Sequence, residues 1–113
     1  MAQTPRDNRR THPALISVDF PVILLLGKKR FSCQARELSE FGIRLAAAPR
    51  NLVGKQVQID LILNPPNPGL PLSGIVVEDI DGKIGIRFER MSPEHRDRLK
   101  SYLQARGIGP VHL

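Results

Sequence analysis

The pattern that most restricts the fold lies at residues 56–63, where Val57, Ile59, Leu61 and Leu63 alternate with Gln56, Gln58, Asp60 and Ile62. Successive side chains of a strand point to opposite faces, so a period of two marks a strand with one covered face. Comparable short segments recur along the chain. Val18 to Leu26 is an apolar strand in which Pro21 implies an edge or bulged position. Gly27-Lys28 suits a two-residue hairpin turn. Phe31, Cys33 and Ala35 then share one face of a second strand, and Ile43 and Leu45 begin a third after Gly42. Residues 73–80 and 83–89 flank Asp81-Gly82, a dipeptide that favours the type I′ turn because both positions tolerate positive φ. In the second of these strands Ile84, Ile86 and Phe88 face inward. The segment Asn64 to Pro71, with four prolines and a glycine, is a loop.

Ser92-Pro93-Glu94 opens a helix: the hydroxyl caps free N–H groups, proline needs no donor at the first position, and an acid complements the positive dipole end. Leu99, Tyr102 and Leu103 form its apolar stripe, Arg96, Asp97, Arg98 and Lys100 are mostly solvated, and Gly107 ends it. Six short strands and one helix predict a mainly β protein, a small six-stranded antiparallel β-barrel with a C-terminal α-helix.

A chain of 113 residues is one domain. Residues 1–13 are polar, basic and without an apolar period, and read as a mobile arm. Residues 14–107 hold the barrel and helix, and 108–113 are a short tail. With 41% hydrophobic and 25% charged residues the composition is that of a folded globular protein. The net charge of +6 predicts attraction to anions without choosing among nucleotide, nucleic acid and lipid surface. Val22 to Leu26 is far too short an apolar run to span a bilayer. No secretory signal precedes Ala14, and the single Cys33 excludes an internal disulfide, so a cytoplasmic location is expected. Cys33, in phase with Phe31 and Ala35, reads as a small buried hydrophobe. His12, His95 and His112 are scattered, so no metal site is expected. No phosphate-binding Gly-rich run or nucleophile–base pairing is present, and the chain reads as a binding module rather than an enzyme.

Two segments carry ligand chemistry. Glu37-Leu38-Ser39-Glu40-Phe41-Gly42 places a carboxylate, a hydroxyl and a glycine where one strand turns into the next, and Arg6, Arg9 and Arg10 lie on the arm. A guanidinium fork pairs with the O6 and N7 acceptors of guanine or with phosphate, while a carboxylate accepts from guanine N1 and N2. A plain hairpin turn and a solubilising tail are the alternative readings. Leu38 and Phe41 read as core or rim packing, and Arg44 as a phosphate contact or a solvated strand residue.

At these residues the chain resembles the PilZ domain family, bacterial receptors for cyclic di-GMP marked by an R-x-x-x-R arm and a [D/N]-x-S-x-x-G turn. The resemblance spans roughly residues 8 to 104 and includes Lys83-Ile84-Gly85-Ile86-Arg87-Phe88 and Met91-Ser92-Pro93-Glu94. Glu37 stands where the family has Asp or Asn. Literal spacing makes Arg6 and Arg10 the arginine pair, whereas counting back from the first strand places Arg10 first and Ala14 at the second arginine. The resemblance implies a cyclic di-GMP site of Arg6, Arg9, Arg10, Glu37, Ser39 and Gly42 on the barrel's outer face, with the arm folding over it. Ordering even five arm residues costs about 5–10 kcal/mol of backbone entropy, so ligand contact would be needed to offset it. The function implied is a receptor that acts on an effector protein in motility, pili or exopolysaccharide formation. The alternatives are a PilZ-like adaptor that no longer binds nucleotide, favoured by Ala14, and an oligonucleotide-binding barrel. The last ranks lowest because single-strand binders need aromatic stacking platforms and this chain has few aromatics. Neither a nucleic acid polymer nor membrane insertion is expected.

Overall fold

A computed structural model describes residues 15–106. Six strands run in chain order as β1 (Ile16–Leu26), β2 (Lys29–Leu38), β3 (Gly42–Ala46), β4 (Gln56–Leu61), β5 (Leu70–Ile80) and β6 (Lys83–Phe88), followed by a helix, α1 (Pro93–Ala105). Every pairing is antiparallel, and the strands close into a barrel in the order β1-β2-β3-β6-β5-β4, with β4 returning to β1. The expected barrel with its C-terminal helix is therefore the observed fold. Among the described residues no helix is long and apolar enough to cross a membrane.

The hairpin turns form where their residue types require them. Gly27 (φ 61°) turns β1 into β2, and Asp81 (φ 54°) and Gly82 (φ 78°) take the positive φ values of a type I′ turn between β5 and β6. Pro21 is not on an edge, because the closed barrel has none. The β1–β2 register shifts between Ser17 and Phe20, and the ladder with β4 begins only at Val22. Pro21 lies between these two points and accepts from the Ile62 N–H at 3.1 Å. N–H and C=O of one strand residue point the same way, so its missing donor falls just beyond the end of the β4 ladder.

The proline-rich segment departs from expectation at its end. Leu70, Pro71 and Leu72 already belong to β5, paired with Leu61, Asp60 and Ile59. Leu70 and Leu72 are buried, and Pro71 has a neighbour on one side only because the β6 ladder starts at Gly74. Period-two burial therefore outweighs the proline there.

The barrel interior is filled from all six strands, with Val22, Leu24, Ala35, Leu45, Leu61 and Val76 at 0% exposure. Helix α1 seats Leu99, Tyr102 and Leu103 on this core, and the Tyr102 ring meets Phe20 edge-on at 5.8 Å. As expected, Ser92 caps the helix: its Oγ accepts from the His95 N–H at 3.1 Å, and Pro93 and Glu94 occupy the first turn. Arg98 is not simply solvated, since it donates to the Pro68 and Gly69 carbonyls at 3.0 and 3.3 Å and ties α1 to the proline-rich loop. The terminal Gly107, like the tail, lies outside the described residues.

Candidate functional site

Leu38, at 0% exposure, anchors the end of β2 in the core, and Gly42 begins β3 after a link of three residues. Ser39 organises the link. Its Oγ accepts from the Phe41 and Gly42 N–H groups at 3.1 and 3.2 Å, while its own N–H donates to the Gly42 carbonyl at 2.9 Å. This consumes the hydroxyl's lone pairs and leaves its proton free to donate. Gly42 is not in the left-handed region; it is needed because a Cβ there would lie 2.6 Å from the Ile86 carbonyl oxygen on β6. Phe41, expected to pack in the core or rim, is 54% exposed. Three residues joining two strands cannot turn every side chain inward, and the interior position at this corner is already taken by Leu38.

A row of paired residues crosses four strands beside this turn. Glu37 on β2 faces Arg44 on β3, Arg44 faces Gly85 on β6, and Gly85 faces Glu78 on β5. Gly85 has no side chain, so residues from β3 and β5 meet above it. The Arg44 Nη1 donates to Glu37 Oε1 and its Nε to Glu78 Oε2, both at 2.8 Å. These bonds, Glu37's first and Glu78's second, raise the guanidinium pKa further above its usual value. Arg44 is thus paired with two carboxylates, an engagement its sequence position did not suggest, while its side chain stays 41% exposed. Glu78 went unnoticed at the sequence level. The available signal was a glycine inside a strand, which marks a close approach of neighbours. Elsewhere, Lys100 on α1 reaches Glu40 at 3.6 Å and links the helix to the same turn.

An open groove of about 640 Å³ runs along this face, lined by Leu15, Ser39, Phe41, Arg44, Val77 and Arg87 among others. Leu15 and Val77 are 49% and 46% exposed, so together with Phe41 they give the groove an apolar surface beside two guanidinium groups. Of the expected site residues, Ser39 and Gly42 line the groove, and Glu37 adjoins it through Arg44. Arg6, Arg9, Arg10, His12 and Ala14 lie outside the described residues. The described chain begins at the groove wall with Leu15, and Ile16 and Ser17 pair with Leu38 and Glu37. Cys33 is buried as expected, and burial pushes its thiol pKa up. Among the described residues no group of His, Cys, Asp and Glu side chains is arranged to hold a metal ion.

The sequence matches the PilZ domain family over residues 4–105. No curated protein matches it. Among solved structures it is similar to the PilZ domain of YcgR from Escherichia coli with c-di-GMP, at 14% identity and a TM-score of 0.69 over 85% of this chain and 90% of that one. The PilZ domain of CeSA from a cellulose-synthesizing bacterium gives 14% identity and a TM-score of 0.66, covering 81% of this chain and 96% of that one. The inhibitor of motility MotI/DgrA of Bacillus subtilis gives 14% identity and a TM-score of 0.69, covering 87% of this chain but 50% of that one.

Proposed function

This chain belongs to the PilZ domain family, and on that premise we propose that it is a bacterial, cytoplasmic cyclic di-GMP receptor that passes the signal to an effector protein by contact. The observation that carries the reading is the convergence of three features on one face. The Glu37-x-Ser39-x-x-Gly42 turn, an apolar groove with two guanidinium groups, and the residue to which the arm is joined all meet there. Arg10 is five residues from Leu15, a tether of at most ~18 Å, so the groove is within its reach.

In this reading Arg6, Arg9 and Arg10 supply guanidinium forks for guanine edges and phosphates. Glu37 accepts from the guanine donor edge, the free Ser39 proton goes to a phosphate or base acceptor, and Gly42 keeps the wall low. Each bidentate contact supplies ~1–3 kcal/mol. Phe41 offers a base a stacking surface worth a further ~1–3 kcal/mol. All of these groups bind and none performs chemistry, so the role is that of a receptor and not an enzyme. The effector belongs to motility, pilus or exopolysaccharide machinery.

Calorimetric titration with cyclic di-GMP is the test. Micromolar binding is expected, abolished by Arg9→Ala with Arg10→Ala while the thermal midpoint stays nearly unchanged. If Glu37→Ala binds as well as the parent, the carboxylate has no part in recognition. A second reading, an adaptor without nucleotide, is favoured by Ala14 at one arginine position and by the Glu37 carboxylate being already engaged by Arg44. Absence of any binding at high ligand concentration would select it.

A further inference from the structure

The chain carries a net charge of +6, yet where β3, β6 and β5 pass beneath the groove one guanidinium stands between two carboxylates. Glu37 and Glu78 offset the charge of Arg44, and Arg87 on β6 lends the groove a second guanidinium. Arg44 nevertheless keeps donors in hand. A guanidinium has five N–H groups, and among the described residues only Nε and one Nη1 hydrogen are used. The side chain is 41% exposed and lines the groove. Its two restraints are unlike each other. Glu37 sits on the adjacent strand, directly across the ladder, whereas Glu78 reaches Arg44 from two strands away and only because Gly85 leaves the intervening position empty. Glu78 itself lines the groove, so its charge is on the ligand's side of the pair.

We propose that Arg44 is an anion contact carried by the barrel itself, and that Glu78 holds it in check and so sets the affinity of the groove for a phosphodiester ligand. The proposal rests on the reading of this groove as a cyclic di-GMP site. It gives the chain a fixed guanidinium on the wall where the strand-anchored register of the arm has Ala14, and it gives that guanidinium a competitor. An incoming phosphate displaces the Glu78 carboxylate from Nε or engages the unused Nη2 hydrogens. In either case Glu78 opposes binding, by holding the donor and by repelling the anion.

The sign of one substitution separates this from a structural brace. If the Glu37–Arg44–Glu78 row served only to hold the strands, Glu78→Gln would loosen the wall, and binding of cyclic di-GMP would weaken or stay the same. The proposal requires Glu78→Gln to tighten it, by about threefold to fivefold, the upper part of the range for releasing a partly exposed ion pair. Arg44→Gln should weaken binding by about tenfold or more, the size expected for losing a charge-assisted hydrogen bond to the ligand. In the double variant the gain from Glu78→Gln should fall below about twofold, since additivity fails for residues that act through one another.

Titrations of the parent, both single variants and the double variant decide the matter, with thermal unfolding of each to show that the barrel is intact. A parent that binds, with Glu78→Gln equal or weaker, overturns the proposal and leaves the receptor reading standing. A gain that persists undiminished without Arg44 also overturns it, leaving only direct repulsion by Glu78. A silent parent with a binding Glu78→Gln variant supports the proposal and shows that the check is complete in the native chain. If neither binds, the receptor reading and the proposal fall together.

Discussion

Alanine at Gly42 and alanine at Gly85 separate two kinds of crowding that look the same on distance alone. In each case the new Cβ would lie 2.6 Å from its nearest neighbour, well inside the 3.4 Å at which ordinary contact begins. At Gly42 the three nearest atoms are all backbone, the Ile86 carbonyl oxygen and carbon and the Arg87 Cα. Relief requires β3 and β6 to move apart along their ladder, and overpacking of this kind costs ~1–3 kcal/mol. At Gly85 the three nearest atoms all belong to the Glu78 side chain, which is 31% exposed and free to swing into solvent. What is lost is a partly exposed ion pair, worth ~0–1 kcal/mol. Replacing glycine where φ is ordinary returns ~0.4–1 kcal/mol through the unfolded state. A domain of this size shifts its midpoint by roughly 4–8 °C per kcal/mol. At midrange these give a net loss of about 1.3 kcal/mol at Gly42 and a net change near zero at Gly85, so Gly42→Ala is expected to melt roughly 5–10 °C below the parent and Gly85→Ala within about 4 °C of it, by circular dichroism. Equal losses at the two positions, or a larger one at Gly85, would refute the distinction between backbone and side-chain neighbours.

Three further outcomes are expected. Burial raises the Cys33 thiol pKa above its ordinary 9.0, so the folded state keeps a proton that the unfolded chain releases at high pH. The stability this confers is complete below that value and declines as pH rises past it, so the stability of the parent relative to Cys33→Ala should shrink as the pH is raised above about 9 in urea unfolding. Ser92→Ala should cost about 1 kcal/mol by removing the cap on the His95 N–H, with Ser92→Asp recovering most of it in the same unfolding assay. Leu99→Ala, at a position with 0% exposure on the inner face of α1, should cost about 2–5 kcal/mol, seen as an earlier urea midpoint with an unchanged slope.

The strands were legible wherever one face is covered, because period-two alternation is a local signal, and Asp81-Gly82 and Ser92-Pro93-Glu94 announced a turn and a helix start by chemistry that needs no distant partner. Residues whose environment is set by topology were not. Arg44 meets Glu78 only because β6 lies between β3 and β5, an order that does not follow the chain. Gly42 could be singled out as a special position, but the reason, a close approach to the Ile86 carbonyl, belongs to the same long-range pairing. Phe41 was left between core and rim, and its 54% exposure excludes the core, because hydrophobicity alone does not say which residues of a three-residue link can reach the interior. The β5 start at Leu70 was hidden by Pro71, whose cost depends on whether a second strand lies beside it.

The insertion of β6 between β3 and β5 also governs how the chain comes together. Hairpins β1–β2 and β5–β6 are local, whereas the β3–β6 ladder joins Gly42 to Arg87 and Ala46 to Lys83, partners far apart in the chain. Loop-closure entropy opposes such contacts, and they form late. During synthesis, until residues 83–88 have emerged, both β3 and β5 present an open row of unpaired N–H and C=O groups, the template on which chains aggregate edge to edge. The final strand thus acts as the molecule's own protection against self-association, and any truncation or translational arrest upstream of it releases a sticky intermediate and not a smaller barrel. Arg44 on β3 and Arg87 on β6 flank that seam, so a ligand gripping both would fasten the ring at one of its long-range joints.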